Sequence, residues 1–156
     1  MRLRPGGPLS RRTLLLGGLS GAALAAGGWY AWILRRPFDG RQITPVEAHD
    51  LAAAGQIFLI DIRRPDEWAA TGVGAGAVPL DMRRPDFTEA LARITAADPA
   101  RPIALICARG VRSSQLTARL QSAGIGNLVD VPEGMLGSRA GPGWLARGLP
   151  VTERLQ

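Results

Sequence analysis

The chain has one cysteine, one histidine and no lysine among its 156 residues. A single cysteine excludes any intramolecular disulfide. One cysteine and one histidine are too few for the usual transition-metal sites, so no metal and no cofactor are expected. The missing lysine is a compositional bias: arginine supplies all 19 basic residues. Aromatic residues make up only 5%, so Leu, Ile, Val and Ala must fill any core. No internal repeat is visible. The 20 glycines are scattered and form no phosphate-binding fingerprint, which argues against a nucleotide ligand.

What is present suffices for one ordinary domain and not for two. Hydrophobic residues reach 46%, so the chain as a whole is not disordered. The net charge of +6 suggests a nucleic-acid binder until it is located along the chain. Residues 1–41 hold seven arginines and one acid, Asp39, whereas residues 42–156 hold twelve of each and are neutral. The excess belongs to the N-terminal segment, and a neutral domain has no basic face able to release many counterions from a nucleic acid.

That segment has its own character. Residues 13–34 carry no charge and lie between Arg11-Arg12 and Arg35-Arg36. At about 1.5 Å per residue the run is long enough for a hydrocarbon core about 30 Å thick. Trp29, Tyr30 and Trp32 cluster at its C-terminal end, where an interfacial belt would sit. Ser10-Arg11-Arg12-Thr13-Leu14-Leu15 resembles a twin-arginine export signal, and Ala23-Leu24-Ala25 offers a small-x-small cleavage site. Residues 1–36 are therefore read as an apolar helix acting as signal peptide or membrane anchor, and residues 37–42 as a linker. The following domain, residues 43–156, is expected on the periplasmic side.

Within that domain, Thr44-Pro45-Val46-Glu47 is a capping box with proline at the first helical position, and Gly55 stops the helix. His49 falls in this helix and is expected at its surface. Residues 57–62, 103–106 and 128–131 read as strands. Residues 86–97 and 113–123 read as helices. Apolar strands alternating with helices imply an α/β fold, a parallel sheet covered on both faces.

The chemistry concentrates at Cys107, which ends one strand and precedes a helix. Ligands of open α/β sheets bind beyond the carboxyl ends of the strands. The loop Cys107-Ala108-Arg109-Gly110-Val111-Arg112-Ser113 can curl its N–H groups toward the sulfur, and a helix N-terminus adds positive potential. Two arginines lie in it, and Gly110 permits a turn that a side chain would obstruct. Such surroundings stabilise a thiolate or an anionic persulfide.

These residues resemble the Cys-x-x-Gly-x-Arg-Ser loop of the rhodanese family. Residues 61–72, from Asp61 through Arg63, Glu67 and Trp68 to Gly72, resemble its Asp-x-Arg-x-x-x-Glu-aromatic-x-x-Gly box. Gly76-Ala77-Val78-Pro79-Leu80 and Trp144 with Gly148-Leu149-Pro150-Val151 are similar to its later motifs. Two departures stand out: Val73 where a histidine is usual, and Gly134-Met135 where Gly-Gly is frequent. The resemblance implies a rhodanese-like sheet of about five parallel strands and a monomer. It implies a sulfurtransferase that moves a sulfane sulfur from thiosulfate or a similar donor, through a Cys107 persulfide, to a thiol or cyanide. Residues 108–113 would bind the persulfide, Arg112 would fix the loop, and Arg109 would meet the anionic donor. Asp61 would orient the loop, and Arg63 and Glu67 would form an ion pair. Two alternatives stay open. A sulfur-relay, redox-sensing or docking module would look the same. A phosphatase of this fold would have five residues between Cys and Arg; Cys107 and Arg112 enclose four.

Overall fold

The computed structural model describes residues 38–152, so the N-terminal apolar segment and the last four residues lie outside the described part. Helix α1 spans Pro45–Ala53 and opens on the expected capping box. The Thr44 hydroxyl accepts from the Glu47 N–H at 3.2 Å, and the Glu47 carboxylate accepts from the Thr44 N–H at 2.7 Å. Strand β1 is Phe58–Asp61, followed by helix α2, Pro65–Thr71. Two short strands follow, β2 at Val73–Gly74 and β3 at Ala77–Pro79. Helix α3 covers Phe87–Thr95, β4 Ile103–Ile106, α4 Val111–Ser122 and β5 Leu128–Val131. A one-turn helix α5, Gly143–Ala146, and strand β6, Val151–Thr152, end the described chain.

The main sheet has four parallel strands in the order β3-β1-β4-β5. About five were expected. At the β5 edge Gln42 adds a parallel bridge to Asp130, while β2 and β6 form a separate antiparallel pair. The stretch read as a linker is packed: Phe38 is buried, its N–H donates to Ser114 Oγ at 2.9 Å, and Arg41 O accepts from Asp130 N at 3.1 Å. An exposed backbone edge on β5 and an apolar ring at residue 38 together account for that packing. Among the described residues no helix is long and apolar enough to cross a membrane.

Alternate residues of the strands feed two cores, one on each face. Ile60, Leu105 and Leu128 pack with Phe87 and Leu91 of α3 and Leu116 and Leu120 of α4. Leu59, Ala104, Ile106, Val129 and Val131 pack with Ala48 of α1, Met135 and Trp144. Strands buried on both faces read as continuous apolar runs, which is why these three were visible in the sequence. Helix α2 was not: its residues were absorbed into the motif, and only Pro65-Asp66-Glu67 carries a start signal.

Trp144 anchors the second core. It is fully buried, its Nε1–H donates to Pro150 O at 2.9 Å, and its ring faces Gly74, where a Cβ would lie 2.9 Å away. His49 packs edge-to-face on that ring at 5.8 Å, half-buried rather than on the open surface expected. Trp144→Ala should therefore lower unfolding free energy by about 3–5 kcal/mol, through lost burial and the cavity left behind. Urea unfolding with an unchanged m-value measures it.

Candidate active site

The register aligns the carboxyl ends of the strands: Asp61 pairs with Pro79 and Ile106, and Ile106 with Val131. The segments after β1, β4 and β5 therefore meet at one end of the sheet. Cys107 is there, buried at 1% exposure directly after the inner strand β4. Its Sγ lies 3.6 Å from Ser113 Oγ, itself fully buried in the first turn of α4.

The loop is shaped by close backbone contacts. Gly110 caps α4 with φ +79°, and a Cβ there would run into the Pro132 carbonyl. Cys107 O accepts from Met135 N and Ala108 O from Leu136 N, both at 2.8 Å. Gly134, at φ +68°, approaches so near that a Cβ would sit 2.6 Å from Ala108 O. Meanwhile the backbone N–H groups of residues 108–112 find no acceptor among the described residues. They remain available to an anion, in a curled loop at the start of a 12-residue helix. Ala108 is buried; Arg109 is exposed and forms no ion pair among the described residues. Val111 is 63% exposed and Leu136 is 44% exposed, so the rim also has apolar surface.

The three supporting residues pair differently from the expectation. Arg63 is buried and ion-pairs with Asp61, not Glu67: its Nη2 lies 2.7 Å and its Nε 2.9 Å from the Asp61 carboxylate. It also donates to Thr71 Oγ1 and Gly72 O, each at 2.7 Å, and to the backbone carbonyl of Glu67 at 3.3 Å. A buried guanidinium needs a buried anion and filled acceptors, and Asp61 at the strand end supplies the anion. Asp61 thus holds Arg63, which fastens α2 to β1, instead of orienting the cysteine loop directly.

Glu67 turns the other way and binds Arg112 bidentately, at 2.6 and 2.8 Å. Arg112 is thereby held against α2, through a partner that the sequence reading did not foresee. Its hydrogen bonds hold the Glu67 carboxyl down at about 2, with the Arg64 backbone N–H and nearby guanidinium charge assisting against partial burial. Glu67 in turn raises Arg112 further, and the proximity of Cys107 and Asp61 adds to that.

The two departures from the motif pattern are absorbed by packing. Val73 is buried in β2, and Met135 is fully buried in the second core while its N–H serves Cys107 O. Sequence reasoning missed Glu133, almost fully buried, which accepts from Gly143 N at 2.9 Å and from Arg147 at 2.7 Å. It also missed Asp130, a fully buried carboxylate in the middle of β5. An acid inside an otherwise apolar strand is the signal that pointed to it.

The Glu67–Arg112 pair should show in acid unfolding. Glu67 has a folded value of about 2 against an ordinary 4.5, so its stabilisation is present above pH 4.5 and lost as pH falls through about 2. For a partly exposed pair this is about 1–2 kcal/mol. Glu67→Gln should be destabilised by that amount at pH 7 and converge on wild type near pH 2, in chemical unfolding followed across pH.

The chain matches the family model described as the rhodanese-like domain over residues 44–138. No curated protein matches it. Among solved structures it is similar to the polysulfide-sulfur transferase homodimer of Wolinella succinogenes, with 24% identity and a TM-score of 0.58 over 83% of this chain and 90% of that one. It is similar to the rhodanese-like domain of an Anabaena protein, with 19% identity and a TM-score of 0.53 over 74% and 80% of the two chains. A Rhodopseudomonas palustris protein of unknown function, described as a possible tyrosine phosphatase, has 21% identity and a TM-score of 0.52 over 72% and 84%. At these identities the neighbours speak for the fold alone. With the family model covering more than half of its length, this α/β chain belongs to the rhodanese-like domain family.

Proposed function

We propose that this protein is a sulfurtransferase whose Cys107 carries sulfur as a persulfide. One observation carries the reading. The only cysteine of the chain directly follows the inner strand β4 and opens a loop whose N–H groups at residues 108–112 have no acceptor of their own among the described residues. Such a cradle favours negative charge on the sulfur before and after transfer. The Cys107 thiolate attacks the sulfane sulfur of thiosulfate or a similar donor. A new S–S bond forms, the donor S–S bond breaks, and sulfite leaves with its electron pair. The outer sulfur then passes to a thiol or cyanide and the thiolate returns, in two covalent half-reactions. Exposed Arg109 draws the anionic donor to the rim. No general base is required at the attack, since the nucleophile is already an anion.

A phosphatase would need the loop arginine to grip a phosphoryl group. Here Arg112 is committed to Glu67 through two short bonds, and the loop is one residue shorter than phosphate requires. Membership of the rhodanese-like domain family supports the sulfur reading, and one neighbour of the same fold is a polysulfide-sulfur transferase. The N-terminal segment, residues 1–36, is assigned as membrane anchor or export signal by its charge partition, with the domain on the periplasmic side.

Thiosulfate-to-cyanide turnover should be measurable in the wild type and fall by at least about 10³-fold in Cys107→Ser, with no hydrolysis of p-nitrophenyl phosphate by either. Full turnover in Cys107→Ser, or phosphatase activity that depends on Cys107, would contradict the assignment.

A further inference from the structure

Residues 132–136 form a strip against the cysteine loop, and four of the five touch it. A Cβ at Gly110 would run into Pro132 O, and Gly134 packs on the backbone of Cys107 and Ala108. Met135 N donates to Cys107 O and Leu136 N to Ala108 O, both at 2.8 Å. Glu133 binds elsewhere. Its carboxylate, almost fully buried, accepts from Gly143 N at the start of α5 at 2.9 Å. It also accepts from Arg147 Nε at 2.9 Å and Arg147 Nη2 at 2.7 Å.

Further contacts close the same turn. Ser138 Oγ donates to Pro132 O at 2.7 Å, Trp144 N to Gly134 O at 3.0 Å and Leu145 N to Met135 O at 3.1 Å. Gly141 lies on the Glu133 carboxylate, where a Cβ would sit 2.5 Å from the carboxyl carbon. The carboxylate is thus enclosed and holds three donors, two of them on one guanidinium. Such charge-assisted bonds are stronger than the neutral bonds the strip makes to the loop. The grip behind the strip therefore sets where the strip lies, and the loop follows it.

Peptide geometry carries this grip to the sulfur cradle. Each peptide unit is planar and trans, with its C=O and N–H pointing in opposite directions. The carbonyl of Cys107, held by Met135, therefore aims the Ala108 N–H away from the strip. The carbonyl of Ala108, held by Leu136, does the same for the Arg109 N–H. These are two of the N–H groups that have no acceptor among the described residues. We infer that Glu133 is a positioning residue for the Cys107 loop: clamped by Arg147 and Gly143, it fixes the strip that aims these N–H groups. Its effect falls on how well the loop holds charge on the sulfur during transfer. Capture of the donor is left to the exposed Arg109 side chain.

The inference rests on the sulfurtransferase reading, but its first test needs no sulfur. In amide NMR spectra of the full chain, the Ala108 and Arg109 signals should move in Glu133→Gln. They should stay in place in Leu128→Ala, which removes core volume at the amino end of β5, the far end of the sheet. If Glu133→Gln fails to fold, Arg147→Gln, which changes a partly exposed side chain, should move the same two signals. The kcat of thiosulfate turnover should fall by at least about 10-fold in either variant. The KM for thiosulfate should change by less than about twofold. Arg147→Lys, which keeps the charge but not the paired bonds, should recover part of the loss. Unmoved signals, a loss no greater than that of Leu128→Ala, or a raised KM with kcat intact overturns the inference. Signals that move in a protein whose wild type takes up no sulfur sink the sulfurtransferase reading alone, since the hold of Glu133 on the loop is then seen directly.

Discussion

The turn that carries the chain from β4 into α4 must be completed within the few residues after Cys107, while a second backbone lies against it. Cys107 O and Ala108 O are taken by the N–H groups of Met135 and Leu136, and Gly110 packs on the Pro132 carbonyl. The loop is therefore formed jointly by the ends of β4 and β5. With its carbonyls satisfied from outside, its N–H groups have no partner of their own among the described residues, which is the condition for holding an anion. Side chains at Gly110 or Gly134 would break the contact, and both residues have positive φ.

Around this loop the arginines divide the work by burial. Arg63 is sealed against Asp61 and holds α2 to the sheet. Arg112, half-exposed, fixes the start of α4 to α2 through Glu67. Arg109 stays exposed at the rim. A buried pair of this kind defines a geometry more than it adds stability, because desolvation offsets much of the attraction. The charged network thus sets the position of α2, and α2 supplies the carboxylate that fixes Arg112.

Much of this was legible in the sequence because burial on two faces writes itself as apolar runs: residues 103–106 and 128–131 appear as strands with their observed bounds. The α1 capping box was equally plain, since its hydrogen bonds join residues three apart. The pairing of Arg63 and Glu67 was not. Two anions, Asp61 and Glu67, lie within reach of Arg63 along the chain, and only the fold turns Glu67 toward Arg112, 45 residues away. The packing of Phe38 was hidden for the same reason, because its partner Ser114 is 76 residues distant. Asp130 could have been singled out as the one acid inside the apolar run 128–131, but its full burial follows only from β5 being covered on both faces.

The central claim is that Cys107 carries sulfur, and intact-protein mass spectrometry after incubation with excess thiosulfate tests it most directly. The account predicts added mass equal to one sulfur atom, located on Cys107 by peptide mapping and removed by cyanide. An unmodified Cys107 under donor excess, in folded protein, would contradict it.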